Sequence, residues 1–146
     1  MLNNWIKFVI HVFLPLVAGS LIYIYLRCSN VFFVEIVESI CCLSQNEHLC
    51  KKEIAADWII YNLPDGLWVY SLTSLMIIIW KNYTWQSFIW ICSGLVIAII
   101  TEFCQAIGVF PGTYDLFDII FYFLAFGLAH FNLSSITLET ILENRL

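Results

Sequence analysis

The sequence predicts an all-α integral membrane protein: a single four-transmembrane-helix bundle with a short amphipathic interfacial helix in its first loop. Three observations lead there. Apolar residues make up 62% of the 146 residues and charged residues 12%, whereas a soluble domain is about half apolar and about a quarter charged. Apolar runs recur, each close to the roughly 20 residues a helix needs to cross hydrocarbon. Turn residues and clustered charges punctuate those runs. So few charges leave too little polar surface to cover the chain in water, and the bilayer is the expected solvent.

The spans follow in order. The first runs from about Trp5 to Leu26; it is too long, and lacks a small-x-small site after it, to be read as a cleaved leader. Pro15 and Gly19 are expected to bend it, with neighbouring helices satisfying the freed backbone groups. Residues 27–63 form a polar loop. Within it, Asn30 to Leu43 places Glu35 and Glu38 among Phe32, Phe33, Ile36, Val37 and Ile40, a pattern for a helix lying on the membrane surface. The second span runs from about Pro64 to Trp80, with proline in the first turn, where its missing N–H is harmless. Lys81 to Thr84 is a tight turn. The third span runs from about Trp85 to Ile107, Pro111 and Gly112 break the chain, and the fourth runs from about Tyr114 to Phe131. The tail after Asn132 is polar enough to leave the membrane. Trp68, Tyr70, Trp80, Trp85 and Trp90 stand near span ends, as interfacial aromatics do.

Four spans put both termini on one side. Lys7, Lys81 and Arg145 lie on that side, Arg27, Lys51 and Lys52 on the other, a tie under the positive-inside rule; the free amino group tips the termini toward the cytoplasm. A net charge of −5 with six scattered Lys and Arg excludes a nucleic-acid face or polybasic lipid tail. No phosphate loop or dinucleotide fingerprint is present, so no cofactor is expected.

Polar residues inside the apolar runs carry the functional reading. Glu102 and Gln105 are three residues apart on one helix face, which reads backwards through Ala98 and Gly94. The fourth span steps similarly through Asp115, Asp118, Tyr122, Ala125 and Ala129. Antiparallel packing of these two helices would set Glu102 against Asp118 and small residues against small residues. Asp65 starts the second span on the same side, so Asp65, Glu102, Gln105, Asp115, Asp118 and Tyr122 are expected to gather near one leaflet. Ionisable groups in spans are costly and are functional candidates by default, and grouped carboxylates repel unless a cation, proton or donor intervenes. The plainer alternatives are that Asp65 and Asp115 cap their helices and that Glu102 and Asp118 are interhelical ties.

Other groups point less far. Cys41, Cys42, His48 and Cys50 lack the spacing of a zinc site, and no metal is assigned. Disulfides among Cys28, Cys41, Cys42 and Cys50 are plausible only in an oxidising compartment. Cys92 and Cys104 read as small hydrophobes in a helix. His11 and His130 read as interfacial polar residues at the end away from the acids. Ser71, Thr73 and Ser74 have no base at a fixed offset.

The stretch from Thr101 to Ala129, TEFCQAIGVFPGTYDLFDIIFYFLAFGLA, resembles the signature of the VanZ-like family. Glu102 and Gln105 match its Glu-x-x-Gln pair, and Asp118 matches the Asp of the helix that follows. Asn62 to Trp68, NLPDGLW, loosely resembles the family's Asp-containing start of an earlier span, at Asp65. Thr113, Tyr122 and Gly66 stand where the family usually carries Arg, Asn and Lys. The resemblance implies a bacterial cell-envelope protein of the inner (plasma) membrane, linked to glycopeptide stress or antibiotic resistance, and no set reaction. Three functions are compatible: a non-enzymatic protein whose acidic cluster binds a lipid headgroup or a cation, a structural or interaction subunit with a membrane-protein partner or a second copy of itself, and an enzyme acting on a lipid-linked substrate with a carboxylate as general base.

Overall fold

The computed structural model describes residues 4–26, 57–80 and 84–143. Every element among them is helical: α1 (Asn4–Phe8), a π-helical turn (Val9–Phe13), α2 (Leu14–Leu26), α3 (Asp57–Tyr61), α4 (Leu63–Ile79), α5 (Trp85–Ala106) and α6 (Leu116–Glu143). Three helical stretches are long and apolar enough to cross a membrane, Asn4–Ile24, Trp85–Ala106 and Leu116–Leu133. The expected second span is α4, a helix of 17 residues. The expected surface helix over 30–43 and the loop cysteines and His48 lie outside the described residues.

The N-terminal rod shows what Pro15 does. A helical proline offers no N–H and crowds the carbonyl four residues back. The chain answers with a π turn just before it, in which the Leu14 N–H bonds the Val9 carbonyl. Ser71 of α4 donates to the Val12 carbonyl at 2.8 Å, so a neighbouring helix does satisfy this stretch of backbone. At the start of α5, Thr84 and Ser87 cap the helix reciprocally: each side chain accepts the other's backbone N–H, at 3.2 and 2.7 Å. The last apolar span, Leu116–Leu133, ends near the expected Phe131, and the helix itself runs on to Glu143. Residues 132–143 contain no Pro or Gly, and polarity alone does not stop a helix.

All of these elements pack on α4. Its buried residues come from all around it: Pro64, Gly66, Val69, Ser71, Thr73, Ser74 and Ile77. One apolar cluster joins Val69 to Leu95, Tyr122 and Ala125. A second joins Ile77 to Ile91 and Leu133. The expected seam of small residues between α5 and α6 forms in part: Ala98 packs on the cluster that holds Tyr122 and Ala125 of α6. Gly94 faces α4: a Cβ there would stand 2.9 Å from Leu72 Cδ2. The reason is that α4 lies between the other helices and packs on both α5 and α6.

The radial distribution of polarity is inverted relative to a soluble protein. Asn62, Ser71, Thr73, Ser74, Ser87, Glu102 and Asp118 are buried, while Ile97, Ile100, Phe103, Phe123, Leu124 and Leu128 are exposed. Water-soluble domains bury such isoleucines and leucines and expose their acids.

Candidate functional site

The site is built where α4 and α6 begin and α5 ends. Pro64 and Asp65 occupy the first turn of α4, and Asn62 precedes that turn as its cap residue without a side-chain capping bond. Asn62 is instead buried and turned across the bundle. Its Nδ2 donates to Asp118 Oδ1 at 2.7 Å and to Asp115 Oδ2 at 3.2 Å. Asp115 does cap α6, as the plain reading of it holds: its Oδ1 accepts the Phe117 N–H at 2.9 Å. Asp118, in the first turn of α6, is 8% exposed.

Glu102 reaches in from the last turns of α5 and is 3% exposed. Its Oε1 accepts from the Tyr122 hydroxyl at 3.1 Å and its Oε2 takes the Asp115 N–H at 3.4 Å. Asp65, Glu102 and Asp118 all lie close enough to Tyr122 to interact electrostatically with its hydroxyl. The structure thus gathers Asp65, Glu102, Asp115, Asp118 and Tyr122 at one end of the bundle, as the spacing predicts. The pairing differs from the expectation. Glu102 accepts from Tyr122 of α6 and from the backbone of Asp115 just before it, and Asp118 accepts from Asn62 just before α4. Gln105 stands apart from these contacts and packs under the following loop, where a Cβ on Gly112 would lie 2.8 Å from its amide Nε2.

The electrostatics are one-sided. Four carboxyl groups meet here, and the one Lys or Arg among the described residues is Lys7, in α1. The compensation comes from the Asn62 amide, the Tyr122 hydroxyl, backbone N–H groups and the positive ends of α4 and α6. Each helix end is worth about half a positive charge. Glu102 stands one turn from the negative end of its own helix, where a carboxylate is disfavoured. The described residues include no group of three or more His, Cys, Asp or Glu arranged to hold a metal ion.

Asn62 is the residue that sequence reading missed. It is a polar side chain three residues before Asp65, and that spacing was its signal. A second polar tie was also missed. His11 is not merely interfacial: its Nδ1 lies 2.7 Å from the Tyr70 hydroxyl, which also accepts from Asn132 Nδ2 at 3.2 Å. A hydroxyl donating to Nδ1 while accepting from Asn132 satisfies all three groups and joins the N-terminal rod, α4 and α6. His130 packs edge-on against Phe126, with ring centroids 4.8 Å apart. Cys92 and Cys104 are free, half-buried thiols.

Comparison with family models, with curated proteins and with solved structures finds no match to this chain.

Proposed function

We propose that this chain is an integral membrane protein of VanZ-like character, seated in a bacterial plasma membrane with its termini in the cytoplasm, whose acid cluster binds the ammonium of a phospholipid headgroup. The four spans are the three long helices and α4. The observation that carries the reading is the gathering of acids: Glu102 and Asp118 lie buried inside an inverted bundle, at the same end as Asp65 and Asp115. In lipid such groups are expensive unless a counter-charge arrives. The carboxylates engage separate donors on α4 and α6 and do not converge on one point, which favours an ammonium held by the field of the cluster over a chelated metal. The VanZ-like character rests on Glu102, Gln105 and Asp118. A role in envelope or glycopeptide stress follows from that resemblance.

A double substitution, Glu102→Gln with Asp118→Asn, tests the reading by thermal unfolding in detergent with added phosphatidylethanolamine or phosphatidylglycerol. Phosphatidylethanolamine stabilises the native protein more than phosphatidylglycerol does, and the substituted protein loses that difference. A preference that persists after substitution places the lipid site elsewhere.

The second reading is a structural or interaction subunit, alone or with a second copy. What favours it is the set of bonds from Asn62 and Tyr122, which already tie α4, α5 and α6 through the acids. It predicts that the same double substitution lowers stability equally in both lipids.

A further inference from the structure

The connection between α5 and α6 is unlike an aqueous loop. No charged residue occurs between Glu102 and Asp115. Its large side chains point outward: Ile107 is 74% exposed and Val109 67%, and Phe110, Leu116 and Phe117 are also exposed. A water-facing turn is normally rich in Asp, Asn, Ser and Lys, as in Lys81-Asn82-Tyr83-Thr84 at the other end of α5.

The connection is also built, not merely apolar. Its backbone folds back on the end of α5. The Ile107 N–H bonds the Phe103 carbonyl at 3.2 Å, the Gly108 N–H bonds Gln105 at 3.0 Å, and the Val109 and Phe110 N–H groups both bond Cys104, at 2.8 and 3.3 Å. Gly108 takes a positive φ of 72° to allow this. Gly112 lies over the Gln105 side chain with no room for a Cβ. Four successive donors are thereby satisfied within the protein, which is what a non-aqueous setting demands.

We infer that the segment Ile107–Phe117 is seated in the headgroup–acyl boundary of the membrane as an apolar collar beside the acid cluster. The inference rests on the membrane reading proposed above and says from where the site is reached. Helix length fixes the position. The 22 residues of α5 extend about 33 Å, against a hydrocarbon core of about 30 Å. With Trp85 at one boundary, Ile107 meets the other. The collar continues the exposed apolar faces of α5 and α6, at Ile100 and Phe103 on one side and Ile120 on the other. Glu102 lies five residues before Ile107, roughly 7–8 Å inside this level. A group bound there approaches past lipid-immersed side chains, so its source is a lipid of the same leaflet and not a free solute.

Nitroxide labels test this in phosphatidylethanolamine–phosphatidylglycerol vesicles, placed singly at Ile97 in mid-α5, at Val109 and at Phe110, with the native cysteines replaced. The readout is collision with dissolved oxygen against collision with a water-soluble nickel chelate. Oxygen collisions exceed nickel collisions several-fold at Val109 and Phe110, as they do at Ile97. A lipid-like signal at Ile97 with nickel-dominated signals at Val109 and Phe110 overturns the collar while leaving the membrane bundle intact. A nickel-dominated signal at Ile97 overturns both. Should the cysteine-free protein not fold, benzoylphenylalanine at position 110 or 97 of the otherwise native chain gives the same decision. A photoadduct with lipid forms at both sites, and its absence at 110 alone overturns the collar.

Discussion

Replacing Asn62 by Ala removes a side chain that bridges two carboxylates. The bond to Asp118 is short, at 2.7 Å, and buried; that to Asp115 is longer, at 3.2 Å, and partly buried. Hydrogen bonds to charged groups contribute about 1.5–3 kcal/mol each, and a buried acceptor left without its donor carries its desolvation cost as well. Two circumstances reduce the total. Asp115 keeps the Phe117 N–H, and interhelical bonds in membrane proteins average nearer 0.6 kcal/mol, because the unfolded chain finds other partners. The expected loss is about 2 kcal/mol, nearly all of it through Asp118. No capping loss is added, because the Asn62 side chain makes no capping bond. Reversible unfolding in mixed detergent micelles reads the change, and a double-mutant cycle with Asp118→Leu isolates the pair. Asn62→Ala should cost little once Asp118 is gone. Asn62→Asp, which sets a third acid against Asp115 and Asp118, should destabilise more than Asn62→Ala. Additive single effects in the cycle, or a loss below about 0.5 kcal/mol for Asn62→Ala, a value no larger than a surface change, would refute the reasoning.

Three further outcomes are expected. Tyr122→Phe keeps the ring in its cluster with Val69, Leu95 and Ala125 but takes the donor from Glu102 Oε1; stability falls by about 1–2 kcal/mol, and Glu102→Gln in the same chain recovers part of the loss. Tyr70→Phe severs both His11 and Asn132 from the bundle; a loss of about 1 kcal/mol with faster hydrogen exchange in α1 and the π turn is the signature, and unchanged exchange there contradicts the tie. Gly94→Leu drives a side chain into Leu72 across the α4–α5 contact and destabilises by about 1–3 kcal/mol, whereas the same change at exposed Gly127, with nothing within 4 Å of a Cβ, leaves unfolding unaltered.

Much of this arrangement is legible in the sequence because spacing and connectivity alone produce it. Asp118, Tyr122, Ala125 and Ala129 fall on one buried face because they recur every three or four residues. Glu102 comes to the same end because a short break at Pro111 and Gly112 joins its helix to α6. What spacing does not contain is which neighbour a face meets. The face through Gly94 and Ala98 is equally suited to α4 or α6, and only the assembled bundle turns Gly94 toward Leu72. Single polar residues at element edges are illegible for a related reason. Asn62 reads as a loop-end cap, and His11 as an interfacial residue, until helices distant in sequence bring Asp118 and Tyr70 to them.

The centrality of α4 connects the fold to the acids. At 17 residues it rises only about 26 Å, less than the roughly 30 Å of hydrocarbon. On the proposal that α4 is the fourth span, a helix that short needs its ends shielded by longer neighbours, and α1–α2, α5 and α6 all pack on it. Its first turn is then sunk below the boundary, where unpaired N–H groups have no water to meet. Proline at position 64 removes one such donor, and Asp65 places a carboxylate among those that remain. The first turn of α6 brings Asp118 to the same depth, and Asn62 bonds to it across the gap. Asp65 and Asp118 thus stand in the first turns of their helices, where the helix dipole favours a carboxylate. Glu102 does not share that setting. It sits near the negative end of α5, and what holds it there is the Tyr122 hydroxyl and the Asp115 N–H, both from the α6 side of the bundle.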